Sequence, residues 1–280
     1  MANVASVCTS QTPSWYPTQV LSACGNKVYR AWFFCHQTLV ETCRRYVSPA
    51  IGACWGMVFL EAHTLMRASW HTFKKYRKNP KEYGLEPVNL SKQTQNPVLL
   101  IHGAAGSWNY LGDLATSLTK EKRSVFVINL GSGQPTNEKR EKIYNKIEEI
   151  HKANKTLKID IVAHSMGGNL ALYSAFEESC STIDKQGDLI FARTKKAHPL
   201  VAKVITIALP ADEKELSWIK EIGKVKEFFN VTAKYEGLMG HKKCALEADQ
   251  TCEINAAHIG IVFQKETQSA VNNFLSRRIK

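Results

Sequence analysis

The sequence predicts an α/β fold with a mostly parallel sheet and helices on both faces, preceded by a helical amino-terminal region. Three observations support this prediction. Apolar strand patterns alternate with helix patterns from Asn96 onward, the pattern before Asn79-Pro80 is helical throughout, and 280 residues suffice for one full core with an appendage. Because a helix lies between most successive strands, we expect right-handed crossovers and parallel strands.

The region before Pro80 is apolar, aromatic and then basic. Three- and four-residue spacing of apolar side chains from Val28 to Val47 predicts an amphipathic helix. A second segment spans Ile51 to Met66, and the uncharged run from Tyr46 to Leu60 has 15 residues, short of the roughly 20 that a spanning helix needs. A basic cluster follows, made of Arg67, Lys74, Lys75, Arg77, Lys78 and Lys81. We expect residues 20–81 to contact a membrane surface as a hairpin, or alternatively to pack on the rest of the protein.

Composition excludes several classes of function. The net charge of +12 comes mostly from scattered Lys and Arg, and the local basic cluster at residues 67–81 follows an apolar region and suits an anionic membrane surface better than a DNA groove, so no nucleic-acid partner is expected. The eight cysteines include no C-x-x-C pair, which argues against a zinc ribbon or a redox site, and no metal or cofactor is expected. Cys244 and Cys252 could form a disulfide in an oxidising compartment. Residues 1–26 lack Lys and Arg and show no clear secretory signal peptide. Because residues 20–81 are expected to contact a membrane surface, we expect a peripheral membrane location.

The elements after Asn96 follow from continuous apolar runs, which predict buried strands, and from three- and four-residue spacing, which predicts helices. The predicted strands are Pro97–Ile101, Val125–Leu130, one from Ile159 to Ala163, Val201–Ala208, Phe228–Thr232 and a short one at Glu253 and Ile254. The predicted helices are Ser107–Lys120, Asn137–Asn154, one after Ser165, Glu213–Ile222 and a terminal helix that ends in Arg277-Arg278-Ile279-Lys280. The stretch from Cys180 to Pro199 is polar and is predicted to be irregular.

The junction Ala163-His164-Ser165-Met166-Gly167 joins a predicted buried strand to a helix with a small-residue face. It matches the nucleophile elbow G-x-S-x-G, with alanine in place of the first glycine. Such a turn strains the serine backbone and needs small flanking residues, which Gly167 and Ala163 supply. The alternative is that Ser165 caps an ordinary β–α turn.

A serine nucleophile needs a histidine that accepts its proton. Two histidines lie downstream in predicted loops. His258 follows the last strand and precedes the terminal helix, so it projects from the carboxyl edge of the sheet, and we expect it to be the base. His241 lies beside glycine and lysines and has the pattern of a solvated loop residue.

An acid should lie between the nucleophile and the base in chain order. Glu236 follows the penultimate strand and is the preferred candidate. Asp212 follows the preceding strand and could reach the same site, while Asp249 lies in a polar loop with no strand before it. Each could instead be a surface carboxylate.

The oxyanion of an acyl-transfer reaction needs N–H donors. The residue after the nucleophile, Met166, should supply one, and Ala104 in the loop after the first strand should supply the other. Gly103 and Gly106 flank that loop and let the backbone approach a substrate. His102 and His164 are interpreted as structural residues at the strand end and beside the elbow.

From residue 96 to 280 the sequence resembles the α/β-hydrolase superfamily, and within it the small bacterial triacylglycerol lipases and esterases. The resemblance lies in Pro-Val-Leu-Leu-Ile-His-Gly with Gly106, in Asp-Ile-Val-Ala-His-Ser-Met-Gly-Gly, and in His-Ile-Gly-Ile-Val-Phe before the terminal helix. It implies that Ser165 is the nucleophile, His258 the base, and Ala104 and Met166 the oxyanion donors. The family usually has aspartate where this chain offers Glu236.

We therefore expect two regions, a helical residue range 1–90 and a catalytic domain at 91–280. The expected function is that of a serine hydrolase, a lipase or carboxylesterase, which cleaves carboxylic esters of lipids through an acyl-enzyme with a Ser-His-Glu triad. A thioesterase or acyltransferase with the same triad is one alternative. A catalytically silent interaction module at membranes is another, because fold alone does not define function.

Overall fold

Six strands form one parallel sheet that carries the candidate site at its carboxyl edge. The computed structural model describes residues 76, 79–87, 93–104, 107–133, 136–153, 155, 157–174, 176–183, 189–210, 227–235 and 251–277. The strands are β1 (Val98–Ile101), β2 (Val125–Ile128), β3 (Ile159–His164), β4 (Phe176–Ile183), β5 (Leu189–Ala197), β6 (Val201–Ile207), β7 (Glu227–Tyr235) and β8 (Thr251–Ala257). The sheet order is β2-β1-β3-β6-β7-β8, while β4 and β5 form a separate antiparallel pair.

Helices cover both faces of the sheet. The described α-helices are α1 (Gly112–Lys120), α2 (Asn137–Ala153), α3 (Met166–Ser174) and α4 (Lys265–Ser276), with 3-10 turns at Pro80–Tyr83, Trp108–Leu111 and Gly260–Phe263. Alternate strand residues point to opposite faces, so β1 sends Val98 and Leu100 to one core cluster and Leu99 and Ile101 to the other. The first cluster includes α1 and α4, and the second includes α2 and α3. The predicted fold class is confirmed.

The predicted elements differ from the structure mainly after α3. The irregular structure predicted for Cys180 to Pro199 is wrong, because most of this stretch belongs to the β4–β5 pair. Its polar composition hid the strand pattern, since an antiparallel pair does not need two apolar faces. The strands β7 and β8 are longer than predicted. The predicted helix Glu213–Ile222 lies outside the described residues, as do the predicted helices before residue 76.

Tyr76 anchors the start of α1. Its ring is buried against Tyr83 and Trp108, and its hydroxyl donates to Asp113 Oδ1 at 3.0 Å. A Cβ at Gly112 would lie 2.2 Å from the Tyr76 ring, so this contact requires glycine. The packing fixes the segment 107–112, which borders the candidate site.

Two further findings concern the predicted membrane contact and disulfide. Within the ranges given above, none of the helices is both long and apolar enough to cross a bilayer. Most of the region 20–81, to which the membrane contact was assigned, lies outside the described residues. Cys252 carries a free thiol, and Cys244 lies outside the described residues.

Candidate active site

Ser165 occupies a strained turn between β3 and α3. Its φ is +55°, in the left-handed region that non-glycine residues rarely adopt. This value argues against the alternative of an ordinary N-cap, whose backbone is extended. The turn is held by hydrogen bonds from Ser165 N–H to the Ile207 carbonyl at 2.8 Å and from Gly168 N–H to the Ser165 carbonyl at 2.7 Å. Position 167, two residues after the serine, requires glycine, since a Cβ on Gly167 would lie 2.4 Å from the His102 carbonyl oxygen.

His258 is brought to Ser165 by the end of β8. The edge strand ends at Ala257, and Nε2 of the next residue, His258, lies 2.8 Å from Ser165 Oγ. Both side chains are buried. A neutral imidazole accepts the hydroxyl proton in this geometry, so the pair can transfer a proton from serine to histidine during attack on a carbonyl.

The loop after β1 lies directly against the serine. A Cβ on Gly103 would be 2.8 Å from Ser165 Cβ and 3.3 Å from Ser165 Oγ. Ala104, the next residue, is exposed, and its carbonyl accepts from Gly133 N–H at 3.3 Å. Met166 is the first residue of α3, where helix N–H groups have no partner within the helix. Of the two residues predicted as oxyanion donors, Met166 thus directly follows the serine in the chain, and Ala104 directly follows the glycine that lies against it.

His102 fixes the direction of the peptide between Gly103 and Ala104. The Leu130 N–H can only donate, so His102 Nε2 accepts it at 2.9 Å, and Nδ1 carries the proton donated to the Gly103 carbonyl at 2.7 Å. Burial lowers the pKa of His102, which favours this neutral form. Because a trans peptide is planar, its N–H points away from its carbonyl, so His102 also sets the direction of the Ala104 N–H.

The sequence missed one residue of this site, Tyr110. Its hydroxyl accepts from Gly103 N–H and contacts the ring of His164, which was interpreted as structural along with His102. Both histidines are buried and hydrogen-bonded. No local pattern marks Tyr110, since it reads as one aromatic residue at the start of a predicted helix.

The predicted acids lie outside the described residues. Glu236 comes directly after the last residue of β7, and Asp212 lies two residues beyond Pro210 in the segment that follows β6. Both strands end at the same edge of the sheet as β3. The choice of Glu236 over Asp212 stays a prediction, and Asp249 and His241 also lie outside the described residues.

These features together define the class of protein. A parallel sheet in this order, a serine on a left-handed turn after a central strand and a histidine after the last strand are the features of the α/β-hydrolase fold. The chain has that fold.

Comparisons with known proteins give structural likenesses only. No protein-family model matches the sequence, and no curated protein matches it. Similar solved structures include the lin2722 gene product of Listeria innocua, with 15% identity and a TM-score of 0.44 over 66% of this chain and 96% of that chain. The lipase BlEst2 of Bacillus licheniformis has 14% identity and a TM-score of 0.44 over 69% and 96%. An α/β serine hydrolase homologue from Coxiella burnetii has 12% identity and a TM-score of 0.45 over 70% and 88%. At these values the fold assignment rests on the sheet order and the elbow of this chain.

Proposed function

We propose that the protein is a serine hydrolase that cleaves carboxylic esters of lipids through an acyl-enzyme. The observation that carries this proposal is the 2.8 Å contact between His258 Nε2 and Ser165 Oγ at a serine with φ +55°. A strained serine paired with a buried histidine is the arrangement that activates a hydroxyl for attack on an acyl carbon.

In the first half of the proposed reaction, Ser165 Oγ bonds to the ester carbonyl carbon while its proton passes to His258 Nε2. The carbonyl oxygen becomes an oxyanion that accepts hydrogen bonds from the N–H groups of Ala104 and Met166. The carbon–oxygen bond to the alcohol then breaks, and His258 gives its proton to the leaving oxygen. Ser165 is left as an acyl ester.

In the second half, water attacks the acyl carbon and passes a proton to His258. The tetrahedral intermediate collapses, Ser165 Oγ leaves and recovers its proton from His258, and the carboxylic acid is released. Glu236 is proposed to orient His258 and to stabilise the imidazolium that forms in each half. We expect Glu236→Gln to lower turnover far more than Asp212→Asn. The reverse order would assign this role to Asp212.

Lipid esters are proposed as substrates because of the amino-terminal sequence. The region 20–81 combines apolar helix patterns with four of the chain's six tryptophans nearby and with the basic cluster at residues 67–81, a combination suited to an anionic membrane surface. We propose peripheral membrane contact through this region, which would bring the site close to its substrate.

Labelling by a fluorophosphonate probe tests the nucleophile. We expect wild-type protein to be labelled and Ser165→Ala to lose both labelling and about 10⁴- to 10⁶-fold in kcat. Ser174→Ala, on the same helix but hydrogen-bonded to the Leu170 carbonyl, is the matched control and should be labelled as wild type is. Labelling that persists in Ser165→Ala would refute the assignment, and folded wild type without any labelling would favour a silent module.

A substrate panel tests the acyl class. The panel contains p-nitrophenyl esters of two to sixteen carbons and matching thioesters, each with and without phosphatidylglycerol vesicles. A preference for long-chain oxygen esters that strengthens on vesicles supports the proposal. A short-chain preference that ignores vesicles indicates a soluble esterase, and faster thioester cleavage indicates a thioesterase.

A further inference from the structure

A buried chain of three hydrogen bonds crosses the floor of the site. It runs from the Gly103 N–H to Tyr110 Oη at 2.5 Å, from Tyr110 Oη to His164 Nδ1 at 3.0 Å, and from His164 Nε2 to the His258 carbonyl oxygen at 3.0 Å. These residues are distant in sequence, since Tyr110 and His164 are 54 positions apart and His164 and His258 are 94 positions apart.

The two ends of the chain determine the position of every proton within it. The Gly103 N–H can only donate, so Tyr110 Oη accepts it and keeps its own proton for His164 Nδ1. The His258 carbonyl can only accept, so His164 Nε2 must carry a proton. His164 therefore has one tautomer, Nε2–H, and the four residues form a chain with a single direction.

Burial keeps the two middle side chains neutral. Desolvation raises the pKa of Tyr110 well above its usual value, against the smaller opposite effect of its hydrogen bond with Gly103. Desolvation, together with the nearby His258 and His102, lowers the pKa of His164 to about 3. Neither group gains or loses a proton between pH 5 and pH 9, so the chain has the same direction across the range in which a serine–histidine pair works.

The chain connects the two parts of the site that must be aligned with the serine. Gly103 directly precedes Ala104, a proposed oxyanion donor, and His258 is the proposed base. His164 directly precedes Ser165, and its ring lies 5.5 Å from the Tyr110 ring and 5.3 Å from the His258 ring between centroids. We call Gly103 and the proposed donor Ala104 the oxyanion loop. The His164 imidazole thus contacts, on one side, the tyrosine that holds this loop and, on the other, the backbone of the proposed base.

We propose that Tyr110 and His164 are positioning residues that hold the oxyanion loop and the base in register with Ser165. This inference rests on the proposed hydrolase function. Loss of the Tyr110 hydroxyl would release the Gly103 N–H, and loss of the His164 Nε2 proton would release the His258 carbonyl. Because misplacement by about 1 Å can cost about 10²-fold in rate, either loss should lower kcat while substrate binding changes little.

The first experiment compares two buried tyrosines. Tyr110→Phe should lower kcat about 10- to 100-fold on a p-nitrophenyl ester, with KM within about threefold of wild type. Tyr76→Phe is the matched control, because it keeps the ring that packs on Trp108 and removes only a hydroxyl that contacts Asp113 on α1, at a tyrosine as buried as Tyr110. The control should lose comparable stability and keep kcat within about twofold. Equal kcat for Tyr110→Phe and wild type would overturn the proposal.

The second experiment separates the two bonds of His164. In His164→Gln the side-chain amide reaches the position of Nε2 and can still donate to the His258 carbonyl, whereas in His164→Asn the shorter amide reaches only the position of Nδ1. We expect the glutamine variant to retain at least about tenfold more kcat than the asparagine variant, because it retains the bond to the base. Equal activities, or the reverse order, would overturn the role assigned to this bond.

The tautomer of His164 gives a readout that does not depend on turnover. In protein labelled with ¹⁵N-histidine, long-range ¹H–¹⁵N spectra should include the signal of a ring in the Nε2–H form that does not titrate between pH 5 and pH 9 and that His164→Gln removes. A His164 ring that titrates in this range would refute the proposal. If wild type neither hydrolyses esters nor takes up the probe, the proposed function fails and the positioning role fails with it; an active wild type with an unaffected Tyr110→Phe refutes the positioning role alone.

Discussion

The two ends of β3 carry buried polar clusters of opposite character. At the amino end, Asp160 lies among charged side chains, with Arg123 at 4.0 Å and Lys203 on the neighbouring strand. At the carboxyl end, His164 lies among neutral groups in the chain that runs from Gly103 to His258. Both ends are buried to a similar extent, so the difference between them lies in charge and not in access to water.

The charged cluster at the amino end of β3 stabilises the end of α4. Lys203 Nζ lies 3.1 Å from Glu227 and donates to the carbonyls of Phe274, Leu275 and Arg277. These carbonyls lie at the end of α4, where the last carbonyls of a helix lack α-helical N–H partners, although that of Phe274 also accepts from the Arg277 N–H at 3.2 Å. A buried ammonium can donate to several acceptors at once and tolerates small changes in their positions. This cluster therefore stabilises the fold without fixing a single direction.

The hydrogen bonds at the neutral end hold their groups in one orientation and tolerate little change in position. Tyr110 and His164 each donate one hydrogen bond and accept one, between an end that can only donate and an end that can only accept, so one arrangement alone satisfies the chain. The comparison indicates that the carboxyl edge is built for geometry and the amino edge for stability. Variants at the two edges should accordingly separate turnover from the free energy of unfolding.

Gly103→Ala is expected to have the largest effect on turnover without a matching effect on the free energy of unfolding. The added Cβ would meet Ser165 Cβ at 2.8 Å, so the loop or the serine must move. We expect kcat/KM to fall about 10²- to 10³-fold, since displacement of one oxyanion donor has that cost, with an unchanged free energy of unfolding within about 1 kcal/mol. Gly84→Ala, at a positive φ but in open space, is the control and should leave kcat/KM unchanged. Unaltered kcat/KM in Gly103→Ala would contradict the tight contact.

The matching change at the amino edge is Lys203→Met. It removes the partner of Glu227 and the donor to the three helix-end carbonyls. We expect a loss of about 3 kcal/mol in urea unfolding, because the change removes a buried ammonium and leaves its carbonyl acceptors and the partly exposed Glu227 without their donor. Turnover at 25 °C should stay within about twofold. Lys158→Met, which changes an exposed lysine, is the control. A large loss of kcat in folded Lys203→Met would contradict the assignment of the amino edge to stability and the carboxyl edge to turnover.

Asp160 gives the charged edge a pH dependence. Desolvation raises the pKa of Asp160 to about 6, against the lowering effects of Asn96, Lys203 and Arg123. A raised folded-state pKa means that the contribution of Asp160 to stability is complete below about pH 4 and is lost as pH rises through 6. The stability of wild type relative to Asp160→Asn should fall by about 2 to 3 kcal/mol between pH 4 and pH 7. A difference that is flat with pH would show that Asp160 has an ordinary pKa.

The sequence predicted the parts of the site that depend on local patterns. Ser165 lies in a five-residue motif between a strand and a helix, and His258 follows from chain order and the position of the last strand. The central strands were predicted for a similar reason, because strands buried on both faces are continuous apolar runs.

The rest depends on contacts between distant residues. Tyr110 meets His164 only after β1 and β3 pair, and Lys203 meets the end of α4 across 71 or more positions. A lysine within an apolar strand gives no sign that its partners are helix-end carbonyls. The choice between Glu236 and Asp212 depends on loop conformation after β7 and β6, which periodicity does not specify.

Lys139 tests whether a charge at the carboxyl edge acts through geometry, and its expected effect is the smallest. It is a buried cation, on α2, and its Nζ donates to the carbonyls of Ser132 at 2.8 Å and Gly133 at 3.1 Å. Gly133 N–H in turn donates to the carbonyl of Ala104, so Lys139 braces the loop that touches the oxyanion loop.

If this edge is built for geometry, Lys139→Met should lower kcat about 3- to 10-fold through the looser loop, and added salt should not change the ratio to wild type. If added salt lowers the kcat of wild type toward that of Lys139→Met, the charge itself assists the reaction. Lys142→Met, which removes an exposed lysine paired with Glu138 on the same helix, is the matched control and should leave kcat unchanged.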